Sequence, residues 1–213
     1  MQRRVVCDFA TRALLETAAE SALLVAGARG LGGFRELLLG SVTQQLLHYG
    51  TCPVAVVRAG TGTPGGGLAG RIVVGVDGSS TARQALRWAV DEARVRSAAL
   101  DVVSAWQLPY LGDFPYTSSV LDPSLMESEA QKLLDDAVDS VDTTDLPQPV
   151  TRVLSSGGAA ATLLDAAEGA DLVVVGSRGL GGFKGLLLGS VSHQVAYHAS
   201  CPVVVVPPQP ATA

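Results

Sequence analysis

The sequence predicts an α/β fold: a five-stranded, parallel, doubly wound sheet over residues 71–207, preceded by a partial second copy of the same unit. Three observations predict it. Apolar residues make up 47% of the chain and aromatics only 5%, so the core must be built from Val, Leu and Ala, the composition of buried parallel strands covered by helices. From residue 71 onward, short apolar runs alternate with amphipathic stretches, the pattern of strands joined by right-handed helical crossovers. Residues 23–57 also match residues 172–206 at 21 of 35 positions without a gap, so part of the chain is duplicated.

In chain order, Ile72-Val73-Val74-Gly75-Val76 is an apolar run that ends on Asp77-Gly78-Ser79-Ser80, turn formers that also suit a helix N-cap. The following helix, about Thr81 to Arg96, places Ala85, Leu86, Ala89, Val90 and Ala93 on one face and Arg83, Arg87, Asp91 and Arg94 largely opposite. Leu100–Trp106 reads as the next strand, Pro109–Pro123 as a loop, and Ser124–Val141 as a helix. Pro149–Ser155 is then the third strand, Ala159–Glu168 a helix, Leu172–Val175 the fourth strand, ending at Gly176, and Cys201–Val206 the fifth.

Ala59–Gly70 (AGTGTPGGGLAG) cannot bury enough apolar surface to fold and reads as a linker over residues 59–70. Before it, residues 1–58 supply counterparts of the third, fourth and fifth strands with their helices. Arg3 aligns with Arg152, and Arg12–Glu16 aligns with Ala161–Asp165. The two opening strands have no counterpart. A truncated gene model or start site is one explanation of that gap.

Composition also excludes. A net charge of −5 argues against a nucleic-acid partner, which needs clustered Lys and Arg. No apolar run approaches the roughly 20 residues of a membrane span, and no secretory signal opens the chain, so a soluble cytoplasmic protein is expected. Cys7, Cys52 and Cys201 show neither disulfide nor metal-ligand spacing, and no metal site is predicted.

In open parallel sheets, ligands bind beyond the carboxyl ends of the strands. Two strand ends qualify, Gly75–Ser79 and Gly176–Gly179. The second opens the pattern Gly176-x2-Gly179-x9-Gly189-Ser190. Glycines there let the backbone approach a ligand, and the amides of Gly189, Ser190, Val191 and Ser192 at a helix start can hold an anion without a lysine. A Walker loop is excluded because Leu188-Gly189-Ser190 has no lysine, and a dinucleotide fingerprint because this loop follows the fourth strand, not the first. Asp77 admits two roles, ligand contact and helix N-cap. No nucleophile–base constellation can be assembled, so no catalytic residue is assigned. His193 reads as a solvent-facing helix residue.

Val-Gly-Val-Asp-Gly-Ser at residues 74–79, the Gly-x2-Gly-x9-Gly-Ser loop and Cys-Pro-Val-Val-Val-Val at residues 201–206 together resemble the ATP-binding branch of the universal stress protein family, over nearly all of residues 71–207. The resemblance implies an adenine nucleotide alpha hydrolase-like sandwich that binds ATP, with or without Mg2+. By position, Gly75, Asp77 and Ala105 would line the adenine and ribose side. Gly176, Ser177, Arg178, Gly179, Leu180, Gly181 and Gly182, then Gly189, Ser190, Val191 and Ser192, would wrap ribose and phosphates. One departure is Ser155–Ala159, where the family carries a Gly-x-Pro turn. The first copy keeps Gly27, Gly30, Gly40 and Ser41 but has no Asp77 counterpart, so weak or absent nucleotide binding is expected there.

The function implied is a nucleotide-dependent stress-response regulator, with a slow ATPase or phosphotransferase and a nucleotide-free interaction scaffold as alternatives. The resemblance also implies pairing through the last strands, as a homodimer or as an intramolecular pseudo-dimer with Val54–Val57 along Val203–Val206. Missing strands would otherwise leave an open sheet edge to be covered by another chain.

Overall fold

The computed structural model describes residues 3–29, 39–58, 70–108, 122–181 and 187–208. The predicted linker, except Gly70, and nearly all of the predicted loop 109–123 lie outside the described residues. Within them the chain runs α1 (Ala10–Ala18), β1 (Leu24–Gly27), α2 (Ser41–Tyr49), β2 (Val54–Val57), β3 (Arg71–Gly75), α3 (Ser80–Arg96), β4 (Ala99–Trp106), α4 (Pro123–Asp139), β5 (Thr151–Ser156), α5 (Ala159–Ala166), β6 (Leu172–Gly176), α6 (Ser190–His198) and β7 (Val203–Val206). The strands form one mostly parallel sheet in the order β1-β2-β7-β6-β3-β4-β5.

Strand residues alternate between two cores, which is why the strands read as unbroken apolar runs. Val73, Val103, Val173, Val175, Val203 and Val205 face one side with Leu46, Leu163 and Val195 from α2, α5 and α6. Ile72, Val74, Val102, Val174, Val204 and Val206 face the other, against Ala85, Leu86, Ala89 and Ala93 of α3 and Leu134 of α4. The predicted helix face is thus the buried one, with Arg83, Arg87 and Asp91 outside.

Two expectations are corrected. The sheet has seven strands instead of five, because β2 continues it antiparallel along β7, with Val54 opposite Val205, Ala55 opposite Val204 and Val56 opposite Val203. Residues 3–9 form no strand. They align with β5, which is held in the sheet by β4. No β4 counterpart precedes β1 among the described residues, so a strand there would have no ladder to join.

The duplicated sequence adopts duplicated local geometry. Gly189 N donates to Ser177 O at 2.7 Å, as Gly40 N does to Ala28 O at 2.7 Å. Ser177 N donates to Val206 O at 2.8 Å, and Ala28 N to Val57 O at 2.7 Å. The β2–β7 pairing relates the two sets by a local two-fold normal to the sheet, which puts α1 and α2 in the same layer as α5 and α6.

Arg58, just past β2, breaks that symmetry. Its guanidinium donates to Ala199 O at 2.8 Å, Ala196 O at 2.7 Å and Tyr197 O at 2.6 Å, occupying carbonyls at the C-terminal end of α6 that have no intrahelical donor. Burial pushes its pKa down from the ordinary guanidinium value, yet Arg stays charged. The aligned residue Pro207 has no such side chain. Arg58→Ala is expected to cost about 1–3 kcal/mol, the range for a lost charged hydrogen bond, read as a lower midpoint in urea.

Candidate functional site

A cavity of about 470 Å³ opens at the carboxyl ends of β3 and β6, where the chain turns to opposite sides of the sheet, within the size range of small-molecule sites. β3 is central and delivers Gly75, Val76 and Asp77 to it; β6 delivers Gly176 and the turn after it. From β4 come Val103 and Ala105, from α5 Ala159 and Leu163, and from the start of α6 Gly189–Ser192. One wall is therefore apolar and the other is backbone.

The two strand-end turns are tied together through Asp77. Its Oδ1 accepts from Ser79 N at 3.0 Å, and its Oδ2 accepts from Leu180 N at 2.9 Å across the cavity mouth. The N-cap of α3 is Ser79, whose hydroxyl accepts from Ala82 N at 3.1 Å, so the capping alternative for Asp77 does not hold. Thr81 Oγ1 donates to Arg178 O, and Ser79 Oγ donates to the same carbonyl at 3.3 Å. Gly78, at φ +84°, makes the turn between Asp77 and Ser79, a conformation glycine adopts without strain.

Close approach explains the two glycines of the β6 turn. A Cβ on Gly176 would lie 2.8 Å from the Thr81 carbonyl carbon, a backbone atom that cannot swing aside. On Gly179 it would lie 2.4 Å from Asp77 Oδ2. The turn's far end is fixed by Ser192 Oγ, which donates to Ser177 O at 2.9 Å.

Helix α6 begins at the cavity wall with Gly189 as N-cap and no side-chain cap. The amides of Ser190, Val191 and Ser192 belong to its first turn and have no intrahelical acceptor. With the positive end of the helix dipole, they make the wall suited to an anion. Arg178, half-buried beside them, adds a fixed cation. Asp77 is the one carboxylate lining the cavity among the described residues.

Of the residues predicted from sequence, Gly75, Asp77, Ala105, Gly176, Arg178, Gly179, Leu180, Gly181, Gly189, Ser190, Val191 and Ser192 come together around this cavity. Ser177 does not line it; that residue is buried, and its carbonyl holds the loop. Gly182 lies outside the described residues. His193 is exposed and stacks on Tyr197 at 4.4 Å between ring centres. Sequence reasoning missed Leu163 and Leu188, whose apolar side chains close the cavity, and the bracing hydroxyls of Ser79 and Thr81. The run Ser79-Ser80-Thr81 after Asp77 was the available signal for the latter. The departure at Ser155–Ala159 is accommodated by Gly157, at φ +145°, whose N–H donates to Trp106 O at 2.8 Å.

Comparison with known proteins places these features. The model of the universal stress protein family matches residues 2–58 and 69–207. A universal stress protein of Mycobacterium tuberculosis is 35% identical over 192 residues, 90% of this chain and 64% of that protein. The chain thus spans a little under two thirds of the length of that relative. Among solved structures, the universal stress protein UspA from Lactobacillus plantarum is 27% identical with a TM-score of 0.57, covering 64% of this chain and 97% of its own. A universal stress protein described as in complex with cAMP shares the fold at 24% identity and a TM-score of 0.51, over 66% of this chain and 98% of its own.

Proposed function

We propose, for a chain that belongs to the universal stress protein family, that the strand-end cavity binds ATP and that nucleotide occupancy regulates a stress response. One observation carries this reading: the unpaired first-turn amides of α6 and the apolar wall of Val103, Ala105 and Leu163 line the same cavity. Phosphate oxygens fit the first and a purine ring the second, with Asp77 between them for the ribose hydroxyls. The related protein in complex with cAMP supports an adenine nucleotide as the class of ligand. Magnesium would enter with the phosphates, near Asp77.

The reading is retention, not turnover. Fast phosphoryl transfer requires a positioned base and cationic stabilisation of the transferred group. Both oxygens of Asp77 already accept backbone hydrogen bonds, which fixes the carboxylate as a strut of the loop. Mass spectrometry of nucleotide released by heating the purified protein tests the proposal. Co-purified ATP is expected, and a nucleotide-free protein that also gives no calorimetric binding signal would overturn it.

Asp77→Ala is the most direct variant. It removes the acceptor for Leu180 N and the candidate ribose contact but leaves the Ser79 cap in place. ATP affinity is expected to fall by about 10–100-fold, the equivalent of roughly 1.4–2.8 kcal/mol, with unchanged helical circular dichroism. Equal affinity in a titration of both proteins would remove Asp77 from the site.

A further inference from the structure

The two copies of the repeat expose identical side chains to opposite environments. Leu172, Val174 and Val206 are 3%, 0% and 5% exposed, while the aligned Leu23, Val25 and Val57 are 38%, 61% and 38% exposed. What covers the first three is explicit. β3 pairs parallel with β6, Ile72 opposite Leu172, Val73 opposite Val173 and Val74 opposite Val174, and the Ala85, Leu86 and Ala89 face of α3 packs over them in one core. β1 is bonded to β2 on one side and ends the sheet on the other. An edge of unpaired N–H and C=O groups beside an apolar face is a liability that proteins normally cover.

A third exposure fits the same account. Residues 3–8 align with β5, which pairs with β4 at Asp101–Trp106, yet they lie outside any strand, with Val5 99% exposed. The edge of β1, the bare face at Val25 and Val57, and the unpaired residues 3–8 each lack the neighbour that β3, α3 and β4 provide in the other copy. One strand–helix–strand unit would satisfy all three.

We infer that this surface docks a strand–helix–strand segment of a separate polypeptide, its first strand parallel to β1 and its helix seated by small side chains on Val25 and Val57. The chemistry of the occupant follows from the covered copy: an apolar strand of the Ile-Val-Val type, then a helix presenting Ala and Leu at the spacing of Ala85, Leu86 and Ala89. Recognition is strand addition, with main-chain hydrogen bonds supplying affinity and the side chains on the bare face supplying specificity. The docking surface lies on the far side of the β2–β7 seam from the candidate nucleotide cavity and does not depend on what that cavity binds.

A synthetic peptide of residues 70–108 of this chain, which spans β3, α3 and β4, is the probe. Titrated as a fluorescent conjugate into the full chain, it is expected to bind saturably, and the amides of residues 3–8 and 24–27 are expected to gain protection from hydrogen exchange. Val25→Lys in the full chain and Leu86→Asp in the peptide should each weaken binding at least about tenfold. Val25 is exposed, so its replacement should leave the melting temperature of the chain alone unchanged. Absence of saturable binding by a peptide shown to be monomeric and dispersed would overturn the inference. So would equal binding by Val25→Lys. Concentration-dependent dimerisation of the chain alone, lost in Val25→Lys, would also overturn it by showing that a second copy covers this edge.

Discussion

Gly179→Asp is expected to lower ATP affinity by at least about 100-fold while the chain stays folded. A Cβ at this position would lie 2.4 Å from Asp77 Oδ2, so either the loop or the Asp77 side chain must move, and the bond from Leu180 N at 2.9 Å is the first casualty. The new carboxylate then stands beside Asp77 at the mouth of a cavity whose opposite wall is suited to phosphate. Two like charges about 4 Å apart near a protein surface repel by roughly 4 kcal/mol at an effective dielectric of 20. About 2.7 kcal/mol suffices for the 100-fold loss. The residue is exposed on a turn, so the core does not register the change. Gly179→Ala carries the same Cβ without the charge and should lose about tenfold, which separates the steric part from the electrostatic part. Isothermal titration with ATP, alongside a thermal melt of each variant, provides the measurement. Wild-type affinity in Gly179→Asp would mean that nucleotide does not use this turn.

Much of this site is legible in the sequence because its spacing is set by backbone. Gly176 must be glycine since a Cβ would meet the Thr81 backbone at 2.8 Å, and Gly189 and Ser190 mark a helix start that leaves amides unpaired; both constraints write themselves into a local pattern. The Ala85–Ala93 face is legible for a similar reason, as burial at helical period leaves few polar choices. Features that depend on a distant segment are not. Asp77 is followed by turn formers in any reading, but its bond to Leu180 N joins residues 103 apart, and only the assembled sheet reveals that it struts the loop while Ser79 caps the helix. Residues 3–8 carry Val5 and Val6, acceptable strand formers, yet a strand exists only beside a partner, and its local sequence cannot announce that the partner is missing. The seven-strand sheet is a further case. A strand predicts neighbours on both sides without saying where they come from, and β7 takes one of its neighbours from β2, across the intervening stretch of chain.

Val56→Asp tests whether that seam is structural. Val56 is fully buried, opposite the equally buried Val203, and belongs to a core that mixes Leu46, Val54 and Val56 from one side of the seam with Val195, Val203 and Val205 from the other. An ionised carboxylate there has no partner among these apolar residues, and burying one costs far more than a typical substitution, so the penalty should exceed about 4 kcal/mol. The shape of the loss matters as much as its size. Were residues 3–58 an appendage, Val56→Asp would melt that segment alone, giving two calorimetric transitions and leaving ATP binding intact. In a continuous core, α6 is held from both directions: by Val195 packed in the shared core and by Arg58 on the carbonyls of Ala196, Tyr197 and Ala199. The opposite end of α6 supplies the amides of Ser190–Ser192. A single cooperative transition at markedly lower temperature is therefore expected, with ATP affinity declining together with the folded fraction. Retention of full ATP affinity after selective loss of the first transition would show that the cavity stands without the segment before residue 59.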